Sequence, residues 1–265
     1  MNVERIIDFS GRSALVTGAA GAIGRGIAAG LAANGARVFL TDLKPEPVAA
    51  AVAAMPAGTN CAGLAGDVTD EAQVRAVVEA AAAALGGRID ILVNVAGIVA
   101  QGKVEEIAVE DWERVFAVNC RGTFLFTKHV VPHMKGAGYG KIVNFSSKSG
   151  KTGSALMSHY SAAKAAVIGF TQALAYELAD SGICVNCLCP GITEDTGVWS
   201  HVSAGYVQNL KMSREQVVKQ FTAKVPLKRL ARIEDIVAAT LFLASAGADY
   251  MTGQAINVTG GREMH

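Results

Sequence analysis

Short apolar runs alternate along the chain with longer stretches whose apolar positions recur at helical spacing, and the alternation continues from one end to the other. Runs at Ser13 to Thr17, Arg37 to Thr41, Cys61 to Gly66, Ile91 to Val93, Lys141 to Phe145, Ile183 to Leu188 and Ala255 to Val258 read as buried strands. Between them, Ala22 to Asn34, Glu71 to Leu85, Trp112 to His133, Ser161 to Ala179 and Ile233 to Ala244 read as helices. Strands separated by helices mark repeated βαβ units, so the pattern predicts an α/β, doubly wound, seven-stranded parallel sheet with helices on both faces. Nothing in residues 1–265 resembles a linker, and a single domain is expected. One segment breaks the rhythm. Pro190 to Arg232 is rich in Gly, Thr, Ser and aromatic residues, and a long excursion of that kind in a compact domain is expected to be functional.

Composition narrows the partners. With 265 residues, 51% of them hydrophobic and 18% charged, the chain has ample material for a core, which excludes disorder as its main state. Its 24 basic and 23 acidic residues leave a net charge of +1, too small a field to steer it onto nucleic acid or an anionic membrane. Small molecules remain as the expected partners. The first eleven residues lack an apolar signal core, and the uncharged stretch Pro47 to Gly66 is interrupted by Pro56, Gly58 and Asn60, so a cytoplasmic protein without a membrane span is expected. Cys184 and Cys187 form a CxxC with Cys189 just beyond, but apolar neighbours place them in a strand and no further ligands stand at matching spacing; no metal is expected.

Directly after the first strand comes Thr17-Gly18-Ala19-Ala20-Gly21-Ala22-Ile23-Gly24, opening a helix. A glycine-rich turn there lets the backbone approach a pyrophosphate, whose charge meets the unpaired N–H groups and positive dipole end of the helix. The second strand ends at Asp42, where a carboxylate can accept hydrogen bonds from the adenosine ribose hydroxyls and repel a 2′-phosphate. Together they point to NAD rather than NADP.

These residues resemble the short-chain dehydrogenase/reductase family, and the likeness runs along nearly the whole chain. The family's TGxxxGxG is met by Thr17, Gly18 and Gly24, with Ala22 at its middle glycine position and Gly21 one place earlier. Asp67-Val68 is similar to the family's adenine contact, Asn94-Val95-Ala96-Gly97 to its NNAG, and Pro190-Gly191 to its motif beside the nicotinamide. Val95 replaces the second Asn. Asp195 stands where a Thr is usual, between Thr193 and Thr196, which leaves open how that loop grips the nicotinamide.

Tyr160 and Lys164 stand at i,i+4 in a helical stretch, on one helix face. A phenol of pKa about 10 is a poor base near neutral pH, and a neighbouring ammonium favours the phenolate. Ser147, thirteen residues upstream, sits at the carboxyl end of the fifth strand, and Asn119 lies inside a helical pattern it does not favour. The set is similar to the family's Asn-Ser-Tyr-Lys tetrad. The resemblance implies that Tyr160 moves the alcohol proton, Ser147 hydrogen-bonds the reacting oxygen, Lys164 binds the nicotinamide ribose, and Asn119 holds a water of a proton relay. It also implies a homotetramer.

The catalytic and C-terminal segments, Ser147 to Lys151 and Thr252 to Gly261 among them, resemble the polyol dehydrogenases of the family, including those acting on sorbitol 6-phosphate. The expected substrate is therefore a polyol or ketose. Lys148 and Lys151 are the candidate contacts to a phosphate, and Trp199, with His201, Tyr206, Gln208 and Asn209, the candidate contacts to the hydroxylated chain. The rival readings are a 3-oxoacyl-thioester reductase, a subgroup that generally uses NADPH, and a non-catalytic dinucleotide-sensing protein on the same fold.

Overall fold

The structure is a computed structural model and describes residues 7–197, 199–200, 203, 207 and 213–264. Seven strands form one parallel sheet: β1 (Ser13–Thr17), β2 (Arg37–Thr41), β3 (Cys61–Gly63), β4 (Ile91–Asn94), β5 (Gly140–Phe145), β6 (Ile183–Pro190) and β7 (Ala255–Val258). Their order across the sheet is β3-β2-β1-β4-β5-β6-β7. The expected fold is present. A parallel sheet covered on both faces needs strands that are apolar at successive positions, and β1 is buried at all five.

Strand alternation sorts the core into two layers. Ala14, Val16, Val38, Leu40, Ile91, Val93 and Val143 face one side, where α1 (Ala22–Ala33) and α9 (Ile233–Ala244) cover them with Ile27, Leu31, Ile236 and Leu241. Leu15, Phe39, Leu92 and Ile142 face the other, against α3 (Glu71–Ala84), α5 (Gly122–Ala137) and the end of α7 (Ser158–Leu178).

Several elements differ from the sequence reading. The helix expected over Trp112 to His133 is α4 (Val109–Phe116) and α5, joined by a π-helical turn at Ala117–Arg121. A further helix is present at α2 (Pro45–Ala53), where two prolines look like breakers in the sequence, yet proline is tolerated in a first turn, whose N–H groups have no intrahelical partner. Within the excursion stands α8 (Arg214–Ala223), started by a capping box of Ser213 and Gln216. A short helix, α6 (Lys148–Thr152), follows β5. His201, Tyr206, Gln208 and Asn209 lie outside the described residues. No helix of the described residues is long and apolar enough to cross a membrane.

Candidate active site

Strand order reverses between β1 and β4, and at such a switch point the carboxyl ends of the strands open a crevice. A groove of about 1300 Å³ lies there, lined by Gly18, Gly21, Ile23, Gly24, Asp42, Asp67, Val68, Ala96 and Gly97, all expected from the sequence, and also by Leu43, Ile98, Val118 and Thr196. Gly18 has a left-handed φ of 63°, and a Cβ on it would lie 2.8 Å from the backbone of Ala96; a Cβ on Gly24 would collide with the Gly18 carbonyl oxygen. Turn and helix can close on each other only without side chains, which brings the start of α1 to the groove. No side chain caps α1 and its first turn holds no acidic residue, so its N–H groups and positive dipole end are left for an anion. Asp42 is fixed at the groove's edge: Oδ2 accepts from Ala20 N at 3.0 Å and Oδ1 from Leu43 N at 2.7 Å. The residues present fit a dinucleotide, with pyrophosphate at α1 and ribose at Asp42.

Beyond the groove, toward β5 and β6, opens a cleft of about 920 Å³ lined by Asn119, Ser147, Tyr160, Lys164, Pro190, Gly191 and Thr193. The four tetrad residues, spread over 46 positions of sequence, are thus brought together. Ser147 N-caps α6, its hydroxyl accepting from Ser149 N at 3.1 Å, which holds the side chain at the strand end. Lys164 Nζ donates to Phe145 O at 2.9 Å and lies 5.7 Å from the Tyr160 ring centre. Burial pulls the Lys164 amine down to about 8. Burial pushes the Tyr160 phenol up to about 12, and a hydrogen bond with Ser147 works the other way. Burial is the larger of the two effects at Tyr160.

Asn119 sits in the π turn, where Nδ2 donates to Ile98 O and Val115 O, both at 2.9 Å. Its Oδ1 is buried without a hydrogen-bond partner. A Cβ at Gly97 would come within 2.7 Å of that Oδ1 and 3.2 Å of Lys164 Nζ, so the bare backbone of Gly97 faces both groups. An unpartnered buried acceptor beside a lysine suits a bound water, the relay role the family resemblance implies.

Not every expected residue reaches the site. Asn94 lies beneath it: Nδ2 donates to Asn144 Oδ1 at 2.9 Å, and Asn144 in turn to Thr171 at 3.0 Å, a buried chain that locks β4, β5 and α7 together. Lys151 is turned away: although it shares a helix face with Lys148, its Nζ donates to Ala255 O of the neighbouring β7 at 2.7 Å. Lys148 and Trp199 do line the cleft. Asp195 holds a left-handed φ of 58°, and Thr193 and Thr196 line the cleft on either side of it; Thr196, which lines groove and cleft alike, accepts from Trp199 N at 3.1 Å. Met157 and Phe221 complete the outer wall and were not read from sequence, since nothing in their local pattern separates them from core.

The family model described as short chain dehydrogenase matches residues 12–206, which contain the groove and the whole tetrad. The chain belongs to the short-chain dehydrogenase family. As a short-chain dehydrogenase it is an oxidoreductase of alcohols or ketones that binds a nicotinamide dinucleotide. Sorbitol dehydrogenase of Cereibacter sphaeroides is 38% identical over 258 residues, 97% of this chain and 99% of its own. Galactitol 2-dehydrogenase of Agrobacterium fabrum is 39% identical over 257 residues, 97% and 99% of the two chains. Among solved structures, a variant of actinorhodin polyketide ketoreductase with NADPH superposes with a TM-score of 0.92 at 36% identity, covering 96% of this short-chain dehydrogenase and 98% of that chain.

Proposed function

We propose that this short-chain dehydrogenase interconverts a secondary alcohol of a polyol and the corresponding ketone, with NAD as cofactor. The observation that carries the reading is the convergence of the Tyr160 and Ser147 hydroxyls on one cleft that continues into a groove fitted to a dinucleotide. Gly18, Gly21, Ile23, Gly24, Asp42, Asp67, Val68, Ala96, Gly97 and Thr193 hold the dinucleotide, which when bound supplies the nicotinamide carbon that accepts or returns a hydride. Tyr160 takes the alcohol proton in oxidation and gives it back in reduction. Ser147 hydrogen-bonds the reacting oxygen and stabilises the phenolate. Lys164 passes the proton onward, past Gly97, through a water held by the Asn119 acceptor.

NAD is favoured over NADP by charge. The described residues lining the groove include the carboxylates of Asp42 and Asp67 and no Lys or Arg, so a 2′-phosphate would meet repulsion without a counter-charge. The relatives named for sorbitol and galactitol support a polyol, and Trp199, largely buried, is among the residues at the cleft wall. A second reading has its own support. Ile98, Met157, Ile192 and Phe221 give the cleft an apolar wall, which suits a 3-oxoacyl thioester. Initial rates with alditols, ketoses and 3-oxoacyl thioesters, each with both cofactors, decide between them: NAD-linked turnover of alditols is expected, and NADPH-linked reduction of thioesters alone would overturn the reading.

Assembly as a homotetramer through α5 and α7 is part of the same proposal. Phe124, 45% exposed, packs edge-to-face on Phe170 at 6.3 Å, and Tyr176 is 90% exposed, leaving aromatic surface on both helices. A monomer mass by light scattering at micromolar concentration would reject it.

A further inference from the structure

Behind Lys148, Gly191, Ile192 and Phe221 the catalytic cleft adjoins a narrow side crevice, whose far wall is built by Val225, Arg229, Leu230, Thr259 and Arg262. Three of its lining residues are cations. Arg229 is neutralised by a bidentate pair with Asp235, at 2.5 and 2.9 Å. The other two, Lys148 and Arg262, have only the Glu263 carboxylate between them. Lys148 is partly buried and its ammonium donates to the neutral Ser154 hydroxyl at 2.9 Å. Arg262 meets Glu263 through Nε at 3.2 Å and lies over the Phe221 ring at 5.3 Å from the centroid. Around Lys148, the charges of Arg262 and Lys224 are set against the single carboxylate of Glu263, and burial with the two neighbouring cations pulls the Lys148 amine down. Like charges gathered in a recess cost free energy, and an anion placed between them removes the cost.

We propose that Lys148 and Arg262 form a subsite for an anionic end of the substrate, a carboxylate or phosphate carried on the same chain as the reacting hydroxyl. This deepens the polyol reading: the substrate class becomes a polyol acid or polyol phosphate. Lys148 lines both spaces, so it reads the charge where the cleft ends and the side crevice begins. Arg262 presents a planar guanidinium, the geometry that suits two oxygens of one anion. Lys151 takes no part, since its amine is held at β7.

Two measurements test the subsite. The first is kcat/KM for sorbitol, gluconate and sorbitol 6-phosphate in the wild type, Lys148→Met and Arg262→Gln. A charged substrate is expected to exceed sorbitol by about tenfold or more, with the ratio falling about tenfold in each variant and weakening with added salt. Gluconate and sorbitol 6-phosphate separate carboxylate from phosphate. The second measurement needs no turnover: inorganic phosphate is expected to raise the wild-type Tm by on the order of 2 °C, and not that of the Lys148→Met/Arg262→Gln double variant. If alditols turn over but the charged-to-neutral ratio is near one, or is the same in the variants, the subsite is overturned while the polyol reading stands. If no alcohol turns over, the polyol reading falls and the phosphate shift alone decides the subsite: its loss in the double variant upholds it, and its absence or persistence overturns it.

Discussion

Lys164 Nζ donates to the main-chain oxygen of Phe145 at 2.9 Å, which ties the catalytic face of α7 to β5 two residues before Ser147. The bond turns sequence neighbours on a helix into spatial neighbours of a strand end. It also holds the amine 5.7 Å from the Tyr160 ring centre, where it also borders Gly97. The proton-transfer groups are therefore set by the backbone of β5 as much as by their own helix.

Replacing Tyr160 with Phe removes the hydroxyl and keeps the buried ring. Turnover is expected to fall by about 10²–10⁴-fold, the usual range for a lost general acid or base. Fluorescence titration should show NADH affinity within a few-fold of wild type. Retention of more than about a tenth of kcat would remove Tyr160 from the proton transfer.

Alcohol oxidation needs the phenolate, so its rate should climb with pH toward a high limb. Burial pushes Tyr160 up to about 12, and the Ser147 hydroxyl favours the charged form and pulls the value down. Deleting that hydroxyl raises the phenol further. The pH profile of kcat/KM for Ser147→Ala is accordingly expected to have its rising limb displaced to higher pH, in addition to a lower rate throughout; an unmoved limb would contradict the hydrogen bond's role.

Asp42 accepts from two backbone N–H groups at the groove's edge. Asp42→Ser removes the negative charge but keeps an acceptor, and should raise the NADP-to-NAD ratio of kcat/KM by about tenfold or more, the equivalent of roughly 1.4 kcal/mol. An unchanged ratio would show that discrimination lies elsewhere.

The Arg229–Asp235 pair yields a stability prediction. The Arg229 guanidinium, with the Arg232 N–H, holds the Asp235 carboxyl down to about 2 from 3.8. A depressed carboxylate contributes stability that is present above 3.8 and is lost as pH falls through about 2. Arg229 is partly exposed, and screening keeps the contribution near 1 kcal/mol or less. Urea unfolding of Asp235→Asn should show that deficit at pH 7 and a shrinking one toward pH 3.

The strands were legible because burial on both faces writes unbroken apolar runs, as in β1, and the groove because its glycine turn adjoins a strand and a helix. Residues whose roles depend on distant partners were not legible. Asn94 reads as a site residue until Asn144, 50 positions away, claims its amide. Lys148 and Lys151 look equivalent in sequence, and only the approach of β7 separates them. Arg262 stands in a tail with no periodicity, and what recruits it to the space beside the cleft is the placing of α8 and Phe221, set by tertiary packing.

The wide turn at Ala117–Arg121 has a further effect, on phase. A π turn holds about one residue more than α spacing would, and each residue advances a helix by about 100°. Deleting a single residue there would splice α4 and α5 into one straight rod with the two halves rotated against each other. Val115 could then keep its place beside Tyr160, or Leu125 and Phe126 theirs beneath the sheet, but not both. The extra residue that carries Asn119 to the cleft is thus also the joint that lets one continuous stretch of helix serve two cores.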